Sequence, residues 1–304
     1  MTLLVSGWVA LDHIETPFET RAEVLGGSAP AAALGAALFT DVRLLAAIGE
    51  DFPDVYRRQF EPFPIDLAGL STIPGSKTSR WHGRYHYDMN SRDTVETILG
   101  VNADWVPSIP ETWGDTRSAF FAAGDPAAMC DMMAAMPTLR AAMVDTIKFY
   151  IDSARADFMR AMATADFVSV NESEARELAA TPSIAKAGRT LLAGGARGVI
   201  IKLGEFGAAF MSAEDYFVAP GYPLEDVVDP TGAGDAFAGA FMGYLDSIGE
   251  VTPREIRRAM IYGSTVASFQ VEGFGPSRLL TLTREEVDVR YRRFRELTHF
   301  EVDG

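Results

Sequence analysis

The segment Asp229-Pro230-Thr231-Gly232-Ala233-Gly234-Asp235 sets carboxylates at both ends of a run of small residues. It leads straight into the helical repeat Ala236, Phe237, Ala240, Phe241, Tyr244 and Leu245. Small side chains let the backbone approach a ligand, and the free amides at a helix amino terminus carry roughly half a positive charge, so the segment can form an anion site. Asp235 would lie beside that anion. A carboxylate there has a use if it accepts a proton from an attacking hydroxyl. On local physics alone, a glycine-rich turn that merely enters a helix explains the pattern equally well.

The stretch from Asp229 to Asp235, continued by Ala-Phe-Ala-Gly, closely resembles the carboxy-terminal signature of the ribokinase-like carbohydrate kinases, the PfkB family. The resemblance runs in order through nearly the whole chain. It implies an ATP-dependent kinase that moves the γ-phosphoryl group to a hydroxyl of a small sugar-like substrate, with a nucleoside as the alternative acceptor. Asp235 is then the general base, and the amides of Gly232, Ala233 and Gly234 stabilise the phosphoryl charge. A noncatalytic ligand-binding member of the family is the remaining reading.

Other positions carry the same resemblance. Gly7-Trp-Val-Ala-Leu-Asp12 looks like the first strand and turn that bring an aspartate to the substrate hydroxyls, and Gly26-Gly27 like the glycine pair against the sugar. Asn171-Glu-Ser-Glu174 is similar to the family's Asn-x-x-Glu element, which organises Mg²⁺ mainly through water. Lys202-Leu-Gly204-Glu-Phe-Gly207 resembles the glycine turn beside the nucleotide, which implies ATP contacts there and at Asn171, Glu174 and Thr231. Gly273-Phe-Gly-Pro-Ser277 falls where family members bind a monovalent cation and the adenine. A K⁺ site at Asp229, Thr231, Gly273 and Ser277 follows from that resemblance.

Each of these elements also has a local reading. Asp12 could cap its own turn, and Asn171 with Glu174 could be a helix cap with its reciprocal acid. Gly204 and Gly207 alone would suit a hairpin turn, and Lys202 could simply end an edge strand. Two departures from the family pattern stand out. Ala31 occupies the place of an expected asparagine after the glycine pair, and Lys202 replaces a frequent threonine. The first removes a sugar-hydroxyl partner and suggests a different or less polar ligand at that edge.

The elements that must position these residues follow from periodicity. Apolar, β-branched runs at Leu3–Ser6, Val42–Ile48, Ala119–Ala122, Met143–Asp145, Phe167–Val170 and Val199–Lys202 alternate with helix-like stretches. That alternation predicts an α/β fold with a doubly wound, mostly parallel sheet and helices on both faces. Residues 12–25 and 77–101 break the rhythm and predict a small inserted β lid within a single domain spanning 1–304. In the second segment Trp81, Gly83, Tyr85 and Tyr87 share one face, and Arg80, His82, Arg84 and His86 the other. The aromatic face could stack a base together with Trp8, or serve lid packing or a homodimer contact through the lid. Helices are predicted after Gly234, where Gly239 and Gly243 allow close approach to the sheet, and over Pro253–Val271 and Thr283–Leu297.

A formal charge of −15 argues against a general nucleic-acid surface, so any phosphate site must be built from local amides and metal. One cysteine, Cys130, cannot form an intrachain disulfide, which points to a reducing, cytoplasmic home. No apolar stretch reaches membrane-spanning length. The sequence has no Gly-x-x-x-x-Gly-Lys-[Ser/Thr] and no nicotinamide fingerprint after the first strand, which removes both of those nucleotide folds. His13, His82, His86 and His299 lack metal spacing; His82 and His86 lie two pleats apart if they share a strand.

Overall fold

The computed structural model describes residues 1–299 and 301. Ten strands form the main sheet. Across it run Tyr216–Ala219, Ala208–Met211, Gly198–Lys202, Phe167–Asn171, Ala141–Asp145, Ser118–Phe121, Thr2–Ser6, Asp41–Gly49 and Ile65–Asp66, with Leu70–Ile73 also paired to Asp41–Gly49. All pairs are parallel except those joining Gly198–Lys202, Ala208–Met211 and Tyr216–Ala219.

Alternation within the strands builds the two layers. Leu3, Val5, Phe120 and Met143 face a core shared with the helices Ser28–Ala37, Ala233–Ile248 and Pro253–Gln270. Their neighbours Leu4, Phe121 and Val144 face the opposite layer, packed by Pro126–Ala134, Arg155–Thr164, Glu172–Leu178 and Ile184–Ala193. Strands buried on both faces read as continuous apolar runs, which is why these segments were visible in the sequence. Gly239 and Gly243 do allow a close approach, but to another helix and not to the sheet. An added Cβ would meet the backbone oxygens of Ala32 and Ala36 at 2.1 and 2.8 Å.

A separate four-stranded sheet forms the lid, in the order Thr20–Gly26, Ala10–Glu15, Ser79–Tyr85, Arg92–Ile98. The first lid segment is a strand pair, Ala10–Glu15 with Thr20–Gly26. The lid rests on the main body at its tip. The Tyr85 hydroxyl lies 3.1 Å from Thr231 Oγ1, and an added Cβ on Gly204 would strike the side chain of Asn90.

Candidate active site

The inner face of the lid meets the main body near the carboxyl ends of the parallel strands, the position where open α/β sheets place their ligands. On the lid side, Asp12 stands in the strand Ala10–Glu15 opposite Val24, two residues before Gly26-Gly27 in the partner strand. Gly26 has to be glycine because an added Cβ would lie 1.9 Å from the Asp12 carboxylate. Gly27 turns the chain at φ 83° and donates its N–H to Asp12 Oδ2 at 3.3 Å. The other oxygen, Oδ1, is buried and makes no hydrogen bond of ordinary geometry, although the backbone N–H of Trp81 lies near enough to the carboxyl to lower its pKa. Burial, reinforced by the charge of Asp229, pushes the Asp12 carboxyl up to about 7. A turn cap would have used its oxygens on its own backbone; Asp12 keeps one of them free.

Opposite the lid, Gly232 adopts a left-handed conformation and opens the helix Ala233–Ile248. Gly234 and Asp235 are first-turn positions, whose N–H groups have no intrahelical acceptor. Ala233 differs from the expectation for this trio, because its N–H turns back to the Pro230 carbonyl at 3.2 Å. Ala31, buried at 3% exposure, lies against the loop, 3.2 Å from where a Cβ on Gly232 would sit. The edge that lacks the expected asparagine is thus closed by a methyl group.

Beside this loop lies a cluster of buried charge. Asn171 and Glu174 form a capping box: Asn171 Oδ1 accepts the Glu174 N–H at 2.9 Å, and Glu174 Oε2 accepts the Asn171 N–H at 2.8 Å. The capping reading is therefore correct, and it also fixes the Glu174 carboxylate toward the cleft. Burial and then the neighbouring Asp145 raise Glu174 to about 7. Asp235 is raised to about 8, chiefly by burial and further by Asp145 and Glu174, against the opposing fields of Lys202 and Arg92.

Lys202 overturns its local reading. Its strand is interior, with Phe167–Asn171 on one side and Ala208–Met211 on the other, so it ends no edge. Its ammonium is ion-paired to Asp145 at 2.5 Å and lies 3.1 Å from where a Cβ on Gly234 would sit. Burial opposes its charge, but Asp145, Asp235 and Glu174 together outweigh that and hold its pKa above the usual lysine range. Gly204 and Gly207 follow it in a hairpin connection, so the hairpin reading of that turn is also correct.

The two loops assigned to a monovalent cation do meet. Asp229 accepts the N–H of Thr231 at 2.8 Å and of Gly275 at 2.9 Å, and Gly273 lies beside the Ser277 hydroxyl. The Gln270 amide joins the same loops, donating to the carbonyls of Thr231 and Gly275 at 2.9 and 2.8 Å.

Three residues of the cleft were not singled out from the sequence. Asp145 was seen only as a strand end, although an aspartate at the carboxyl end of a parallel strand is a signal in itself. Gln270 sits inside an apolar helix face and gave none. Arg92 comes from the lid and lies close enough for its charge to act on Asp235 and Glu174; only the strand pairing that sets it opposite Tyr85 reveals this. The aromatic face of the lid, by contrast, does not act as a unit. Tyr85 is buried, Trp81 packs over Gly83 with its indole N–H on Thr94, and Tyr87 is 82% exposed against Phe18. Trp8 lies elsewhere, edge-on to Tyr150 in a cleft that also holds Ser6, Asn102, Trp105 and Asp125.

Residues 16–282 match the model of the pfkB family carbohydrate kinases. The chain belongs to that family. As a member it is a phosphotransferase, and the α/β fold and lid expected from the pattern of apolar runs are those observed. The kinase is 31% identical over 251 residues to the cytidine kinase of Thermococcus kodakarensis, covering 80% of this chain and 88% of that protein. In fold it is similar to the Burkholderia thailandensis nucleoside kinase solved with inosine, with TM-score 0.76, 20% identity, and 99% and 100% of the two chains covered. It is also similar to a putative ribokinase II from E. coli solved with ATP and Mg²⁺, with TM-score 0.74, 19% identity, and 96% and 99% covered. No helix among the described residues is long and apolar enough to cross a membrane.

Proposed function

We propose that this kinase transfers the γ-phosphoryl group of ATP to a hydroxyl on the sugar ring of a nucleoside. The observation that carries the substrate site is the unpartnered, buried Oδ1 of Asp12, which lies between the lid and the glycine loop. A buried carboxylate oxygen without a donor is costly, and a substrate hydroxyl is the donor that would satisfy it. Asp12 and the Gly26-Gly27 backbone hold the sugar ring. Asp235 takes the proton of the attacking hydroxyl, and the N–H groups of Gly232, Gly234 and Asp235 stabilise the transferred group's charge, as positioned donors do in phosphoryl transfer. Lys202, held by Asp145, adds a cation at Gly234, and the Gly204–Gly207 turn borders the nucleotide.

Asp145, Glu174 and Asp235 lie around a single lysine, and burial first, then the neighbouring acids, raise Glu174 and Asp235. That donor set suits Mg²⁺, which would be held by Glu174 through water and would neutralise the phosphates. A monovalent cation at Asp229, Thr231, Gly273 and Ser277 would have to compete with the Gln270 amide for two carbonyls.

One feature supports a nucleoside over a free sugar: the cytidine kinase relative spans most of the chain. Ala31 in place of a polar residue favours the second reading, a deoxy-sugar. Coupled ADP release against cytidine, inosine, adenosine, ribose, deoxyribose and fructose separates them. Nucleosides are expected to show the highest kcat/KM; a free sugar ahead of every nucleoside would overturn the assignment. No ADP with any acceptor would indicate a noncatalytic member.

A further inference from the structure

We propose that His13, Glu15 and His82 form a binding site for a late first-row divalent ion such as Zn²⁺ on the outer face of the lid. Along Ala10–Glu15, Asp12 and Ile14 point into the molecule while His13 and Glu15 point away from the cleft. The parallel pairing with Ser79–Tyr85 sets His13 directly beside His82, and Glu15 beside Arg84. The two imidazoles lie with ring centroids 4.3 Å apart. Glu15 Oε1 faces both rings, 2.7 Å from His82 Nε2 and 3.8 Å from His13 Nε2.

A tetrahedral ion with bonds of about 2.0–2.2 Å keeps its ligand atoms roughly 3.4 Å apart, and the two observed separations bracket that value. Among the described residues these are the one group of three His, Cys, Asp or Glu whose ligand atoms all lie within 4.8 Å of one another. The remaining carboxylate oxygen, Glu15 Oε2, accepts the Arg84 Nε–H at 2.6 Å. That bond orients the carboxylate without using the oxygen that faces the rings, the arrangement metal-ligating carboxylates commonly have. Two imidazoles and one carboxylate suit Zn²⁺ or its neighbours rather than Mg²⁺ or Ca²⁺, which prefer all-oxygen sets.

The fourth position is open. Side-chain exposures of 41% for His13 and 24% for each of Glu15 and His82 leave an entry path. A cavity of about 200 Å³ adjoins the rings, with room for water. Glu23 and Glu96 line it as well, and their charge offsets Arg80 and Arg84. An ion here would tie together lid strands 67 residues apart in sequence, as the Glu15–His82 contact does. It would do so on the face opposite Asp12, so it would act on lid rigidity and not on the transfer chemistry.

The test uses the full chain, stripped with chelator and dialysed, then titrated with Zn²⁺ by calorimetry and with Co²⁺ by visible absorption at pH 7.5. One equivalent of Zn²⁺ and the intense spectrum of four-coordinate Co²⁺ are expected. His13→Gln and His82→Gln should each weaken binding by at least about the 10–100-fold that even supporting partners contribute, while His86→Gln, outside the cluster, should not. Absence of saturable Zn²⁺ binding by the wild type, or equal affinity in both cluster variants and the wild type, would overturn the site. Far-UV circular dichroism identifies a variant that fails to fold. In that event Glu15→Gln, which keeps the size of the side chain and its hydrogen bonding to Arg84, is expected to show the same loss.

Discussion

Replacing Asp12 by asparagine should stabilise the ligand-free fold while weakening the substrate. Asp12 is 2% exposed, and its carboxyl is raised from 3.8 to about 7. At 1.36 kcal/mol for each tenfold change in acidity, that rise sets the cost of the buried carboxylate at up to about 4 kcal/mol. The folded form keeps its proton longer than the unfolded one. Below about pH 4 both forms are protonated and the cost is absent; it grows as pH rises and is complete above about 7. Asparagine stays neutral and can still accept the Gly27 N–H. Urea denaturation should therefore give similar stabilities for Asp12→Asn and wild type at pH 4, with the variant gaining as pH rises to 8. Substrate KM should rise in the same variant, because a hydrogen bond to a charged group contributes roughly 1.5–3 kcal/mol, or about 10- to 150-fold. Parallel stability curves from pH 4 to 8 would show that Asp12 is not a strained buried acid. An unchanged KM would show that its free oxygen does not meet the substrate.

Asp235→Asn keeps size and capping ability but cannot accept the proton, so turnover should fall about 10²–10⁴-fold; a folded variant retaining more than about a tenth of wild-type turnover would send the proton elsewhere. Because Asp235 is raised to about 8 and must be ionised to act, wild-type kcat/KM should increase with pH through 7 to 8, and a flat profile there would contradict the assignment. Glu174→Gln should raise the Mg²⁺ concentration needed for half-maximal rate by about 10–100-fold, and overlapping magnesium titrations would remove its metal role. Gln270→Ala frees the carbonyls of Thr231 and Gly275, so K⁺ should stimulate the variant more than the wild type; equal rates with and without K⁺ in sodium-free buffer, for both proteins, would dismiss the cation site.

The main sheet was legible because its strands are buried on both faces and read as unbroken apolar runs between helical stretches. The glycine loop and Asp235 were legible because they adjoin in sequence. What the sequence hid were the contacts made across strands. His13 and His82 share a register position only once the lid pairs Ala10–Glu15 with Ser79–Tyr85, and no spacing along the chain encodes that. Arg92 reaches the cleft through the same kind of pairing. Lys202 misled for a related reason: a polar residue after a short apolar run looks like a strand end at an edge. It is in fact an interior strand end, where its charge is needed by Asp145.

These pairings explain how a chain of formal charge −15 can receive a polyphosphate. The cleft itself is acidic: Asp145, Glu174 and Asp235 surround one lysine, and the charge of Asp229 raises Asp12. Burial has pushed Asp12, Glu174 and Asp235 into the neutral range, so these three carboxyls are partly protonated near pH 7. Ligands that bring a divalent cation or hydroxyl donors favour the ionised forms, and by linkage their binding must release those protons. The lid takes part in this coupling, because Arg92 lowers both Asp235 and Glu174 only while the lid rests on Thr231 and Gly204. Moving the lid away would take that cation from Asp235 and by itself raise its carboxyl, against the lowering that hydration brings to a group raised chiefly by burial.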